Sequence, residues 1–429
     1  SHCGPAVKMA VGFDTRFLSE NYARLVSDVL AENGIDVFLS DRAIPTPMLS
    51  FAVRHRKLTS GVMITASHNP GAYNGIKIKT ASGGAAGVEV TEEVERLLAG
   101  PQSPRPAQAT VTTLDLSRDY VKFLRSYIDF KKIKNAKFRV LVDVMHGSGN
   151  GFIAEVLKGS SIKLEFVRRE RNPWFGGLQP EPVVENLKGT MERMRKEKFD
   201  LCLVLDGDAD RIAAIAPGGD FVSPQKILGL LTLHLFEDRK MRGGVVKTIV
   251  GTNLLDNLTR SLGLKLYETP VGFKYISSLM DTEDILVGGE EAGGIGFKNY
   301  IPERDGTLAG LLLLEMMAWR RKNMFKILND MEKKFGRYYY LRDDLKVKNP
   351  GVDIAPFKAV KNILGKEVLK IKDYDGVKLI CSDGSWLMFR ASGTEPIMRV
   401  YAESKSLGKT KKLLALGKDM VLDLEKQKG

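Results

Sequence analysis

The sequence predicts an α/β chain of three similar mixed α/β segments in series, followed by a smaller α+β segment. Three observations predict it. The 429 residues exceed one ordinary domain and, at roughly 100–200 residues per domain, imply three or four. Short apolar runs alternate with amphipathic stretches as far as about Gly336, which is the pattern of parallel α/β units. Beyond that point longer alternating runs and one terminal amphipathic stretch take over. The expected domains are residues 1–116, 117–222, 223–336 and 337–429.

Taken in order, Lys8–Phe13 reads as a strand, Glu20–Asn33 as a helix and Ile35–Ser40 as a second strand. A helix near Met48–Arg56 and an apolar strand Gly61–Ala66 follow, and the proline-rich stretch Gly100–Gln108 reads as a surface linker. The second segment offers a helix at Ser117–Tyr127, a strand at Phe138–Val144, a helix around Leu187–Lys198 and the apolar strand Leu201–Leu205. The third opens with a helix at Ser223–His234. It alternates through Gly244–Val250, Leu264–Tyr267 and Ile285–Val287, and closes with the apolar helix Leu308–Trp319. In the last, Tyr338–Val347 and Val377–Phe389 read as long antiparallel strands and Lys409–Glu425 as a terminal helix. No internal repeat is visible by residue identity.

Composition removes several classes. With 43% hydrophobic and 27% charged residues, the chain has an ordinary globular balance and enough apolar mass for a core. No apolar run approaches the roughly 20 residues of a bilayer-spanning helix, and Ser1–Ala10 lacks a signal-peptide core. The net charge of +13 is spread along the chain, denser at Lys131–Arg139 and Lys405–Lys428. Each basic run by itself reads as solvated surface; the overall balance also suits small phosphorylated ligands or nucleic acid, but no aromatic-studded basic motif, zinc finger or helix-turn-helix points to nucleic acid. Cys3, Cys202 and Cys381 lack metal spacing; the last two lie in apolar runs, as buried free thiols of a cytoplasmic protein would. Nothing in the sequence specifies an oligomeric state.

Four loops carry the chemistry. Thr65-Ala66-Ser67-His68-Asn69-Pro70 follows an apolar strand, where open α/β sheets bind ligands. A serine hydroxyl is a weak nucleophile unless activated; as a phosphoryl carrier it gains about −1.5 to −2 charges and needs cations nearby. Asn74-Gly75 offers a hairpin turn leading to Lys77. Alone, this loop also fits an ordinary surface turn.

Asp206-Gly207-Asp208-Ala209-Asp210-Arg211 is more specific. Three alternating aspartates repel unless a cation sits among them, and the small residues between let them converge on one hard metal. Magnesium suits oxygen ligands with positions left for phosphate; calcium is the runner-up, but the closing glutamate of an EF-hand is missing. Arg211 can hold phosphate oxygens bidentately.

Gly288-Gly289-Glu290-Glu291-Ala292-Gly293-Gly294 lets a ligand approach the backbone, with Glu290 able to accept hydrogen bonds from sugar hydroxyls. Upstream, Thr269–Lys274 adds a lysine; both stretches also fit plain turns. Arg390-Ala391-Ser392-Gly393-Thr394-Glu395-Pro396, with Arg399 beyond it, combines exposed backbone N–H groups, hydroxyls and a forked cation, which suits a phosphate dianion.

Together, in this order, the four loops resemble the α-D-phosphohexomutase superfamily of phosphoglucomutases and phosphomannomutases, and the likeness spans nearly the whole chain. It implies four domains around a central cleft and interconversion of hexose 1- and 6-phosphates through a phosphoserine and a hexose 1,6-bisphosphate. Ser67 would be the phosphoserine beside His68. Asp206, Asp208 and Asp210 would bind one Mg2+ with the Ser67 phosphate. Lys77 would act as general acid/base, and Arg211 would join the catalytic set. Glu290 and the Ala292 loop would bind the sugar, Lys247 and Lys274 would line the cleft, and Arg390, Ser392, Gly393, Thr394 and Arg399 would grip the non-reacting phosphate.

Two departures bear on these expectations. The family opens with a Phe-Gly-Thr-Asp-Gly-type strand and a phosphate-facing arginine; Val7–Arg16 matches the strand after it, so a shortened or tagged N-terminus is expected. Ala292 stands where the family more often has serine, which blurs the hexose preference. Three other readings compete. A phosphoglucosamine mutase would carry glutamine and histidine in the sugar loop, against Glu291 and Gly294 here. A haloacid-dehalogenase-type phosphatase could use Asp14 but leaves the serine loop without a role. A catalytically silent interaction protein sits poorly with Ser67 and three intact aspartates.

Overall fold

The computed structural model describes residues 7–98, 100, 109–348, 352–392 and 396–428. They form two compact units, Ser1–Gly244 with Phe273–Leu328, and Val245–Gly272 with Asn329–Gly429. Of the expected linker Gly100–Gln108, only Gly100 lies within the described residues.

The chain begins β1 (Lys8–Phe13), α1 (Ser19–Glu32), β2 (Asp36–Ser40), α2 (Thr46–His55) and β3 (Ser60–Ile64). β1 pairs in parallel with both β2 and β3, and each crossover is a helix, as parallel neighbours require. Then β4 (Ile76–Lys79) folds back antiparallel on β3, α3 (Val88–Leu98) crosses over, and β5 (Val111–Leu114) joins beside β2. Asn74-Gly75 makes the turn into β4, with Thr65 N–H donating to the Gly75 carbonyl.

A second sheet follows α4 (Ser117–Tyr127) and α5 (Phe130–Lys134). Its elements are β6 (Arg139–Asp143), α6 (Phe152–Val156), β7 (Lys163–Val167), α7 (Lys188–Lys196), β8 (Leu201–Leu205), β9 (Ile212–Ala216) and β10 (Asp220–Val222). β6 lies between β7 and β8, parallel to both, and β9 returns antiparallel on β8. Every residue of β8 and β9 is buried, which is why these strands lack polar alternation.

α8 (Pro224–Leu233) starts with a Ser223 cap and Pro224, and runs into a π-helical turn, His234–Asp238. Next come β11 (Gly244–Thr248), α9 (Asn253–Leu262), β12 (Leu266–Thr269), α10 (Phe273–Thr282), β13 (Ile285–Gly289), β14 (Ile295–Phe297), α11 (Gly306–Arg320) and α12 (Met324–Phe335). β11 pairs in parallel with β12, whereas β13 and β14 form a hairpin around the Glu290 loop. α11 is buried all round from Gly306 to Met317, as a helix apolar on every face must be.

The second unit carries a six-stranded antiparallel sheet. Its strands are β15 (Tyr339–Lys346), β16 (Asn362–Ile363), β17 (Lys366–Lys372), β18 (Val377–Cys381), β19 (Trp386–Ala391) and β20 (Ile397–Ser404), and α13 (Leu407–Lys428) follows. Leu413, Val421 and Leu424 of α13 join Leu387, Val400 and Ala402 of the sheet in one core. The expectation of one long strand over Val377–Phe389 is corrected here. Asp383-Gly384 break it into a hairpin, with Gly384 at φ 79°, where its missing Cβ is needed. Cys202 and Cys381 are both free and buried. Among the described residues no helix is long and apolar enough to cross a membrane.

Candidate active site

In the first unit, three of the expected loops meet. β3 ends at Ile64, and Ser67 sits in the left-handed region at φ 54°, a conformation that costs a non-glycine residue and persists where surroundings enforce it. The enforcing residue is Arg16, whose side chain is fully buried at the end of β1. Its Nη2 donates to the Ser67 and Asn69 carbonyls (2.6 and 2.7 Å) and its Nη1 to those of Pro70 and Tyr73 (2.8 and 2.9 Å). Its Nε donates to Asp14 (3.1 Å), and Asp14 also accepts from the Thr65 hydroxyl (2.6 Å), which in turn accepts from Ser67 N–H (2.9 Å). The backbone is thereby clamped while Ser67 Oγ, though buried, has no hydrogen-bond partner.

The aspartate loop leaves the carboxyl end of β8 and passes directly beside this serine. A Cβ on Gly207 would stand 2.6 Å from the Ser67 carbonyl oxygen, so only glycine fits there without displacing backbone. Ala209 turns the loop at φ 54°. Asp206, Asp208 and Asp210 are all fully buried, and one oxygen of each lies within 4.8 Å of the others.

Their hydrogen bonding is divided evenly. One oxygen of each carboxylate is held: Asp206 Oδ1 by Arg211 N–H (3.0 Å), and Asp208 Oδ2 by Lys77 (2.6 Å) and the Thr46 hydroxyl (2.5 Å). Asp210 Oδ2 is held by Lys77 (3.0 Å) and Arg304 Nε (2.8 Å). The other oxygens, Asp206 Oδ2, Asp208 Oδ1 and Asp210 Oδ1, are buried with no hydrogen-bond partner, although Arg211 Nε lies 3.9 Å from the first and 4.0 Å from the last. Buried polar atoms are otherwise almost always hydrogen-bonded, so three carboxylate oxygens without a hydrogen bond in one place fit a cation.

The titration directions agree. Burial, then Asp210 and Asp208, push the Asp206 carboxyl well above its ordinary range. Burial also opposes charge on Asp210, but Arg304, Lys77 and Arg211 outweigh it and hold that carboxyl low. Burial opposes the charge of Lys77 too; Asp208 and Asp210 outweigh it and keep the amine above the lysine range. His68 is pushed down to about 3 by burial and then by the charge of Arg211, so its imidazole is neutral; its Nδ1 is buried without a partner.

Glu290 joins the group from the β13–β14 hairpin. It is 8% exposed, and its Oε2 accepts from Arg304 Nη1 (2.8 Å), the same guanidinium that holds Asp210. Gly294 passes under Arg304, where a Cβ would lie 2.4 Å from the arginine Cδ. Ile212 N–H donates to the Gly293 carbonyl (3.0 Å), which fastens this loop to the aspartate loop. Ala292 is half-buried in the same turn, and Lys274 lies at the start of α10 with its amine 5.1 Å from the Tyr275 ring centroid. Arg211 is 11% exposed, with Nη1 3.4 Å from Glu181.

The remaining expected residues belong to the second unit. Lys247 is 1% exposed; its amine pairs with Asp256 and lies 3.7 Å from Glu268. Arg390 and Arg399 are directly opposed on β19 and β20, with Arg390 Nε on Asp375 (2.8 Å) and Arg399 Nε 3.5 Å from Asp344. Ser392 is buried, its N–H bonded to the Ile397 carbonyl (2.9 Å). Gly393 and Thr394 lie outside the described residues.

Sequence reasoning missed Arg16, Asp14, Thr46 and Arg304 as parts of this site. Asp14 and Arg16 stand at the carboxyl end of β1, the edge of a parallel sheet where ligands gather. Arg304 lies in Glu303-Arg304-Asp305-Gly306, charged residues set against an apolar helix whose N-cap is Asp305, accepting from Leu308 N–H (2.8 Å).

A scaffold of serial α/β domains holding a serine beside a buried acidic triplet defines a class, the phosphohexomutases, and comparison with known proteins agrees. The family models for the phosphoglucomutase/phosphomannomutase α/β/α domains I, II and III match residues 2–104, 118–219 and 223–335, and the model for the C-terminal domain matches 345–416. The chain belongs to the phosphoglucomutase/phosphomannomutase family of the α-D-phosphohexomutase superfamily, whose members are isomerases. It is 32% identical to a phosphoglucomutase/phosphomannomutase of Thermococcus kodakarensis, across 95% of this chain and 88% of that protein. It is 30% identical to a phosphoglucosamine/phosphogalactosamine mutase of Sulfurisphaera tokodaii, across 94% and 88%. A solved structure from Thermus thermophilus, provisionally named a phosphomannomutase, superposes with a TM-score of 0.87 at 36% identity, covering 97% of this chain and 91% of that one.

Proposed function

We propose that this protein moves a phosphoryl group between the 1- and 6-oxygens of a hexose phosphate, glucose or mannose, with Ser67 as carrier and one Mg2+ on Asp206, Asp208 and Asp210. The observation that carries the reading is the division of hydrogen bonds around the triplet. Each carboxylate is hydrogen-bonded through one oxygen and not through the other, beside a clamped serine whose hydroxyl also has no hydrogen bond.

In the forward half-reaction, a sugar hydroxyl oxygen forms a bond to the phosphorus carried on Ser67, the bond from phosphorus to Ser67 Oγ breaks, and the hydroxyl proton leaves to a base. The result is a hexose 1,6-bisphosphate, which turns over and returns its other phosphoryl group to Ser67. Bound Mg2+ supplies Lewis-acid neutralisation of the transferring oxygens. Arg16 keeps Ser67 Oγ aimed, and Lys77 and Arg211 supply positive charge beside it. Lys77 is also the candidate for shuttling the proton, a role that requires a bound cation to take over Asp208 and Asp210, which hold its amine above the lysine range here; neutral His68 lies in the serine loop with its Nδ1 unbonded. Glu290, fixed by Arg304, accepts from sugar hydroxyls beside Ala292, with Lys274 nearby.

Arg390 and Arg399, directly opposed on neighbouring strands, are assigned to a clamp for the non-reacting phosphate, whose charge would add to that of Asp375 and Asp344 in offsetting the two guanidinium groups. Ser392, Gly393 and Thr394 complete that clamp, and Lys247, being ion-paired and buried, is assigned a supporting role beneath the second unit's surface. A second reading, a hexosamine phosphate as substrate, is favoured by the 30% identity to the Sulfurisphaera tokodaii enzyme.

The test is turnover on glucose 1-phosphate, mannose 1-phosphate and glucosamine 1-phosphate side by side, primed with glucose 1,6-bisphosphate, with Ser67→Ala as control. Interconversion abolished by Ser67→Ala is expected. Undiminished turnover in that variant would end the carrier assignment, and a preference for glucosamine 1-phosphate would replace the substrate assignment.

A further inference from the structure

One basic cluster read from the sequence, at Lys131–Arg139, is unused by the reaction. In the first unit it borders a solvent-open cavity of about 580 Å³, at the opposite end of the second sheet from the aspartate loop. Asp200, on the cavity wall, immediately precedes β8, whereas Asp206 immediately follows it. α11 is likewise anchored at its start by Gly306 N–H on the Ala209 carbonyl (3.2 Å), and its last turn forms a cavity wall through Trp319 and Arg321. Fifteen helical residues at about 1.5 Å each separate the two ends by roughly 22 Å, so this is a different place from the candidate active site.

The lining is strongly cationic. Lys131, Lys132, Arg321 and Lys322 converge on it, against the single carboxylate of Asp200, which is already taken by Arg139 N–H (2.8 Å). Among the described residues no carboxylate pairs with Lys131, Lys132 or Arg321; the Lys132 amine instead lies 4.7 Å from the Trp319 ring centroid. A second observation is independent of charge. Arg321 is the C-terminal cap of α11 in the left-handed region, at φ 50° and ψ 40°. Glycine is the residue that takes this conformation without cost, and a helix end needs no arginine there. A strained residue that places a guanidinium at a cavity mouth points to use of that guanidinium.

We propose that this cavity is a second anion site, separate from the active site, that binds a polyphosphate chain: two or more linked phosphate groups, free or carried on a nucleoside. Four cations and the one Asp200 carboxylate leave three net positive charges on the lining, which match a di- or triphosphate better than the dianion of one phosphate. The cavity volume lies within the range of small-molecule sites, and Trp319 offers an apolar wall for a base.

The probes are inorganic tripolyphosphate and ATP, titrated by calorimetry at low salt without added metal, with Trp319 fluorescence as a second signal. Saturable binding is expected, weakened at least tenfold by Lys131→Glu with Arg321→Glu and weakened by added salt. Tighter binding of ATP than of tripolyphosphate would assign the nucleoside source, and equal binding the bare chain. Arg321→Gly separates a site from a mere cap: it should keep or raise the thermal midpoint while lowering affinity. Absence of saturable binding in the parent protein would overturn the proposal. So would affinity left unchanged by both sets of substitutions, which would place the anion elsewhere, including on the active-site cations.

Discussion

Arg16→Lys is the sharpest perturbation of the serine loop. A guanidinium has five N–H donors, and here all five directions are engaged: Nε on Asp14, Nη1 on Pro70 and Tyr73, Nη2 on Ser67 and Asn69. A lysine amine keeps the charge but has three donors on a single atom. At least two of the five acceptors must then go without, in a place where the arginine side chain is fully buried. An unsatisfied buried acceptor costs about 1–3 kcal/mol, and because the Pro70, Tyr73 and Asn69 bonds are only part-buried the native loop is disfavoured by about 2 kcal/mol, toward the low end for two lost acceptors. That cost falls on the left-handed conformation of Ser67, whose carbonyl the clamp holds. At about 1.4 kcal/mol per factor of ten, the competent loop becomes roughly 30-fold rarer. Because the loop can open locally while β1 and β3 stay paired, the loss should appear in kcat more than in global stability. The assay is mutase turnover beside hydrogen exchange of the amides from Ala66 to Gly75. Turnover within threefold of the parent, with unchanged exchange in that segment, would refute the clamp.

Two further outcomes follow from the same geometry. Asp206→Asn replaces the one carboxyl of the three that burial and then its neighbours push up, Asp208 and Asp210 being held low; it should raise the thermal midpoint in EDTA yet abolish the further stabilisation that Mg2+ gives the parent. A variant stabilised by Mg2+ as strongly as the parent would remove Asp206 from the metal set. His234 is fully buried in the π-helical turn, between Asp238 (2.9 Å) and Glu315 (3.0 Å); burial opposes its charge, but those carboxylates outweigh it and raise its pKa above the ordinary 6.5. A raised folded-state pKa means stabilisation present in full below about pH 6.5 and lost as pH rises through the folded value. His234→Gln should therefore flatten the fall in unfolding free energy as pH rises above 6.5, measured by urea titration, and an unchanged slope would exclude His234 as its source.

Much of the fold was legible because burial leaves plain marks on a sequence. Parallel strands covered on both faces become short apolar runs, so Lys8–Phe13 and Leu201–Leu205 were readable to the residue, as was the amphipathic helix Ser117–Tyr127. The antiparallel additions were harder. β9, Ile212–Ala216, is as apolar as a core helix segment and has no alternation to betray it. The hairpin of β18 and β19 was hidden because both strands are apolar and the four-residue turn between them is short; its signal was Asp383-Gly384.

The site was legible only where one kind of charge is concentrated. Asp206, Asp208 and Asp210 announce themselves because three like charges at alternating positions have no structural use unless something compensates them. Their compensation is unreadable for the same reason: it is assembled from single residues far away in the chain. Thr46 reaches Asp208 from the start of α2, Lys77 reaches both Asp208 and Asp210 from β4, and Arg304 reaches Asp210 and Glu290 from the cap of α11. In a sequence each of these is one more threonine, lysine or arginine among 65 Lys and Arg residues. What distinguishes them is burial beside an acid, which depends on how the sheets pack. An arginine such as Arg16 is the extreme case, because all the hydrogen-bond partners of its side chain except Asp14 are backbone carbonyls, groups that every residue possesses and that no side-chain pattern can specify. A cluster of like charges can thus be found from the sequence, whereas the groups that make it tolerable have to be found from the fold.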